Sequence, residues 1–96
     1  MAYKKVDDNH KQIVAGLRKI GCFVQSLASL GKGCPDLLVG YRGKWYVIEL
    51  KDGAKPQCKQ KLTPAEIDWM INVQNRAPVH VANCLLECIN IVKQSW

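Results

Sequence analysis

The chain has 96 residues, enough for one core and one working face but not for two domains. An apolar fraction of 48% with 23% charged residues excludes a disordered tail or a fibrous repeat. Fourteen Lys and Arg against eight Asp and Glu give a net charge of +6, an excess that favours a polyanionic partner, nucleic acid first.

Asp7, Asp8 and Asn9 all suit a helix N-cap, and Ile13, Leu17 and Ile20 follow at helical spacing until Gly21 stops the pattern. Cys22 to Gln25 reads as a short strand, and Ser29 to Gly33, with two glycines in five residues, as a loop. Asp36 to Tyr41 and Lys44 to Lys51 are two β-rich runs around Arg42-Gly43, which predicts a hairpin. Asp52 to Lys61 is polar and reads as a solvated loop. Thr63 then suits an N-cap, Pro64 the first helical position and Glu66 the closing member of a capping box. The helix so begun is expected to bury Ile67, Met70, Ile71 and Val73 and to end near Asn75. Pro78 to Ala82 is a fourth strand, at an edge, and Leu85 to Lys93 a closing helix. The order α-β-β-β-α-β-α predicts an α/β fold, a mixed four-stranded sheet flanked by helices, in a single domain over residues 1–96.

Five cysteines are an odd number and form no paired C-x-x-C knuckles. Cys84 and Cys88 with His80 upstream are a conceivable ligand set, but reduced thiols packed as small apolar residues account for them. No apolar run reaches the roughly 18 residues of a membrane span, and the stretch from Met1 to Asp8 has no apolar signal segment. A soluble, cytoplasmic protein is expected.

In the second hairpin strand Trp45, Val47, Glu49 and Lys51 share one face, and Tyr46, Ile48 and Leu50 the other. Antiparallel pairing through a tight turn brings Asp36, at the start of the preceding strand, beside Glu49. Two carboxylates so close repel unless a cation lies between them, and all-oxygen ligation suits Mg²⁺ or Mn²⁺. Lys51 alongside has the chemistry to orient or deprotonate a water, or to neutralise developing phosphate charge. An ordinary solvated Glu-x-Lys pair is the alternative, and the apolar residues on the Glu49 face weigh against it.

Gly33-Cys34-Pro35-Asp36, followed thirteen residues after Asp36 by Glu49-Leu50-Lys51, resembles the PD-(D/E)xK nuclease signature. With Asp8-Asn9, Ile13-Val14, Leu17-Arg18, the run Gly31 to Gly40, Leu62-Thr63 and Trp69, the chain from Asp7 to about Trp69 resembles a stand-alone VRR-NUC domain of phage type. The resemblance implies a restriction-endonuclease-like core, a Mg²⁺-dependent phosphodiesterase and a homodimer similar to archaeal Holliday-junction resolvases. It further implies that Asp36, Glu49 and the Leu50 carbonyl hold the metal and that Lys51 positions or activates the attacking water. The chain departs from the pattern twice. Where related resolvases carry a glutamate on the first helix, it has His10, on the inward arc with Ile13, Leu17 and Ile20, as a candidate ligand or water-holding residue, or else a packing residue. A missing acid there makes one-metal chemistry, or a Mn²⁺ preference, a live alternative. Where the family often places glutamine it has Glu66, which the capping box explains, with help in ordering a metal-bound water as a lesser role. Trp69 is assigned to the core rather than to base stacking.

Six basic residues lie between Arg42 and Lys61. Arg42, Lys44 and Lys55 among them, with Lys32 in its Gly-Lys-Gly loop, are candidate phosphate contacts that do not read sequence. No base-reading motif is visible, so structure-selective cutting of DNA, foremost of four-way junctions by a homodimer in a bacterial or phage-infected cell, is the leading expectation. Flap or single-strand cutting, a binding module with a decayed site, and a structural or metal-storage role through the cysteines are the other readings. The dimer interface is open between the surface near Trp96 and the edge strand around Val79 to Val81.

Overall fold

The computed structural model describes residues 8–51 and 62–94. Its elements run α1 (Asp8–Lys19), β1 (Phe23–Ser26), a 3₁₀ turn (Ala28–Leu30), β2 (Leu37–Tyr41), β3 (Lys44–Leu50), α2 (Pro64–Val73), β4 (His80–Ala82) and α3 (Leu85–Lys93). The α/β order read from the sequence is the observed one, with the 3₁₀ turn added inside the loop before Asp36. The polar segment 52–61, with Lys55 and Cys58, and Trp96 lie outside the described residues.

α1 ends as its sequence dictates. Gly21, at φ 100°, closes the helix with two bonds, Gly21 N–H to the Arg18 carbonyl and Cys22 N–H to the Leu17 carbonyl. This is the pairing that satisfies the last carbonyls of a helix through a left-handed residue. Arg18 and Lys19 in its last turn complement the helix dipole. The chain then enters a four-stranded mixed sheet in the order β1-β2-β3-β4. β1, β2 and β3 pair antiparallel, while β4 adds to β3 in parallel and forms an edge. Arg42 and Gly43 both have positive φ (49° and 84°), the two-residue turn whose twist matches the strands it joins.

Pleating divides the sheet into two unlike faces. Val24, Leu37, Val39, Tyr46 and Ile48 point to one side and are buried with Ile13 and Leu17 of α1 and Cys88 and Val92 of α3. The Tyr46 hydroxyl donates to the Val92 carbonyl at 3.2 Å and fixes α3 against the sheet. At Gly16 α1 runs close to α3, since a Cβ there would strike the Leu85 side chain. The second face carries Leu38, Val47 and Glu49, and α2 meets it by its N-terminal turn.

The buried face of α2 is not the expected one. Ile67 and Ile71 are exposed (45% and 55%), Met70 and Val73 are half-buried, and the buried residue of the helix is Glu66. α2 docks through its first turn, and the loop before β2 explains why. Gly33, at φ 81°, lies so near that turn that a Cβ on it would collide with the Ala65 carbonyl oxygen. Replacing Gly33 by alanine forces both a strained backbone and a displaced helix. The Gly33→Ala variant is expected to lose about 2 kcal/mol, or roughly 10 °C in Tm by thermal denaturation, whereas a change under about 1 °C would contradict this docking.

Candidate functional site

The end of the sheet opposite the hairpin turn collects the acids that are buried among the described residues, Asp36, Glu49 and Glu66. The β2–β3 register pairs Leu37 with Ile48, and one further step sets Asp36 across from Glu49 on the α2 side. Both are buried, Asp36 at 5% exposure and Glu49 at 1%. Asp36 is held at both ends: its carbonyl accepts the Leu27 amide at 2.7 Å, and its Oδ2 accepts the Leu50 amide at 2.8 Å. The adjacent Lys51 amide donates to the Ala82 carbonyl at 2.9 Å, which ties the end of β3 to β4.

Lys51 reaches back over the site. Its Nζ lies 3.4 Å from Glu49 Oε2 and 2.8 Å from Glu66 Oε1. Glu66 has a second task, because its Oε1 also accepts the Thr63 amide at 2.8 Å while the Thr63 hydroxyl accepts the Glu66 amide at 3.2 Å. The capping box expected from Thr63-Pro64-Ala65-Glu66 is therefore present, and its acid is at the same time the partner of Lys51. Burial pushes the Glu66 carboxyl up, but hydrogen bonds from the Glu49 side chain, Lys51 and the Thr63 amide, with the Lys51 charge, outweigh it and hold Glu66 at about 2.

The residues marked in the sequence separate into three groups. Asp36, Glu49, Leu50 and Lys51 come together at one end of the sheet, and Lys32, beside Gly33, belongs to the loop that touches α2 there. Arg42 and Lys44 do not join them. The register puts them at the hairpin turn, five strand steps from Glu49, or about 17 Å at roughly 3.3 Å per residue. The expectation that they flank the site is corrected by the direction of the strands: turn and site are opposite ends of one hairpin. Lys55 lies outside the described residues.

His10 is buried, as its place on the α1 arc predicts, near the end of the helix whose Asn9 side chain donates to the Asn83 carbonyl at 3.4 Å. It forms no three-residue ligand group with Asp36 and Glu49, since no group of three or more His, Cys, Asp or Glu able to hold a metal ion occurs among the described residues. The same finding separates His80, Cys84 and Cys88. Cys88 is buried, and burial, with Cys84, Glu87 and Cys22 nearby, pushes its thiol up to about 12, where it acts as an apolar core residue. Trp69 is half-buried on α2.

A divalent ion, which the resemblance to the signature implies, would be held by the Asp36 and Glu49 carboxylates and the Leu50 carbonyl. Asp36 and Glu49 suit such an ion in their chemistry: they are hard oxygen donors out of bulk water at the same end of the sheet, and the Leu50 amide already orients the Asp36 carboxylate. Sequence reasoning gave Glu66 to the capping box, with ordering of a metal-bound water as a lesser role; what it missed is the pairing with Lys51, because the box explains the acid without a long-range partner.

No protein-family model matches the chain, and neither a curated protein nor a solved structure matches it.

Because the folded value of Glu66 lies below the ordinary 4.5, its stabilising contribution is complete above pH 4.5 and is lost as the pH falls toward about 2. Glu66→Gln should lower stability at pH 7 by about 1–2 kcal/mol and flatten the decline between those pH values, measured by urea unfolding. Equal pH profiles for variant and parent would contradict the assignment.

Proposed function

We propose that the chain is a metal-dependent, structure-selective DNA endonuclease with a PD-(D/E)xK core, and that it cuts four-way junctions as a homodimer. The observation that carries the reading is the burial of Asp36 and Glu49 as cross-strand neighbours with the Lys51 ammonium 3.4 Å from Glu49. Buried acids clustered with a lysine at a sheet end are costly to keep unless they do chemistry. The net charge of +6 suits a phosphodiester substrate, and the short β4 edge with exposed Val81 offers a surface for a second copy. No helix among the described residues is long and apolar enough to cross a membrane, and we place the activity in the cytoplasm of a bacterial or phage-infected cell.

The division of labour follows from the contacts. Asp36, Glu49 and the Leu50 carbonyl would hold Mg²⁺ or Mn²⁺, which would supply Lewis-acid activation of water and of the scissile phosphate. The Leu50 amide fixes the Asp36 carboxylate, so that one donor is oriented before any ligand arrives. Lys51 is engaged by two carboxylates in this arrangement, Glu66 at 2.8 Å and Glu49 at 3.4 Å. Of the roles open to it, orienting the attacking water and offsetting charge on the phosphate are favoured over taking a proton. Glu66 would position Lys51 through α2, and exposed Lys32 would meet the phosphate backbone on the loop side. Cutting of flaps or single strands by the same residues is the second reading, favoured by the exposed Phe23 and Trp45 on the sheet.

The test is cleavage of labelled four-way junction, duplex, flap and single strand with Mg²⁺, Mn²⁺ or EDTA. Asp36→Ala and Glu49→Ala are expected to cut at least about 10³-fold more slowly, about 4 kcal/mol of barrier, while binding DNA within about tenfold of the parent. Equal cutting by parent and variants would refute the assignment. Tight binding with no cutting by the parent would identify a binding module.

A further inference from the structure

The face of the sheet that carries Glu49 continues to the hairpin turn, and there it exposes two large aromatic side chains. Phe23 is 55% and Trp45 65% exposed. Phe23, Gly40 and Trp45 stand in register across three strands. Gly40, in the middle, leaves the space that the Trp45 ring uses: a Cβ there would lie 3.2 Å from the Trp45 ring and 3.6 Å from the Phe23 Cβ. The two rings meet edge to face, with centroids 5.9 Å apart and planes at 88°. They border an open cleft of about 330 Å³ whose rim includes Arg42 and Lys44. Arg42 is anchored there, its guanidinium carbon 5.3 Å from the centre of the Tyr41 ring.

We propose that Phe23 and Trp45 form a platform on which unpaired nucleobases stack, with Arg42 and Lys44 taking the neighbouring phosphates. The inference rests on the nuclease reading and names the part of the substrate that the protein grips away from the cut. Aromatic faces with flanking cations are the combination that holds single strands, since every base has a face to stack and every nucleotide a charge. Local charge selects this occupant over a second copy of the chain at this surface: face-to-face association here would bring both Arg42–Lys44 pairs together. It also gives a role to two basic residues that lie about 17 Å from the carboxylates, five strand steps away. A strand paired near the site and unpaired toward the hairpin turn would occupy both ends of the face.

The test is fluorescence anisotropy of a labelled oligothymidine and of a blunt duplex of the same length, in EDTA, with the full chain. Trp45→Ala and Phe23→Ala should each weaken oligothymidine binding by about 5- to 150-fold and duplex binding by no more than about twofold. Trp45→Phe should restore most of the loss, and oligothymidine should quench the parent's tryptophan emission more than that of Trp45→Ala. Unchanged binding, or equal weakening for both DNAs, would overturn the platform. So would a Trp45→Ala variant that sediments as a monomer where the parent is a dimer and binds DNA equally per chain. Because no cutting occurs in EDTA, failure of the nuclease reading appears in the cleavage assay alone, and failure of the platform here alone.

Discussion

A carboxylate at 1% exposure must be compensated, and the way Glu49 is compensated organises this molecule. Lys51 is only two residues along the same strand, so its side chain rises on the same face and turns back toward Glu49. That leaves Lys51 itself to be held, and the acid that holds it comes from another element, Glu66 at the start of α2. The helix is thereby fixed by its polar first turn instead of by an apolar stripe. Its position in turn demands a glycine at 33, because the loop leading to Asp36 runs against the same turn. Asp36, Glu49, Lys51 and Glu66 are thus set by one chain of dependencies from the β2–β3 hairpin through the ion pairs to α2.

The opposite face of the sheet shows what an ordinary solution looks like. There Ile13, Leu17, Leu37, Val39, Ile48, Cys88 and Val92 close a dry core against α1 and α3, and that core carries the stability of the domain. Replacing buried ion pairs by apolar groups is commonly neutral or stabilising. A small domain that keeps such a cluster beside a sound core gives up stability to hold charges in place. Placing the cluster at the strand ends suits chemistry, since side chains there have rigid backbone behind them and open space ahead.

Much of this arrangement is legible in the sequence, and for identifiable reasons. Alternation along Lys44 to Lys51 and a glycine-bearing turn at Arg42-Gly43 determine the hairpin, and with it the pairing of Asp36 with Glu49, because register follows from turn length. Thr63-Pro64-Ala65-Glu66 marks the start of α2 through local bonds that need no tertiary context. Two features escape this reading. The apolar pattern of Ile67 and Ile71 points to the wrong buried side, since α2 is positioned by the Lys51–Glu66 pair and by Gly33, contacts between residues far apart in the chain. The grouping of Arg42 and Lys44 with the site came from closeness in sequence, and the hairpin that unites Asp36 with Glu49 is what carries its turn residues away.

On the proposed function, these buried charges form a cation-binding reaction site and not a structural ion cluster. Isothermal titration of Mn²⁺ into the parent and into Glu49→Gln, with the fold of each checked by circular dichroism, tests it most directly. Saturable binding to the parent, lost from a variant that remains folded, is the expected result. Identical titrations for the two, or a folded parent that binds no Mn²⁺, would contradict it.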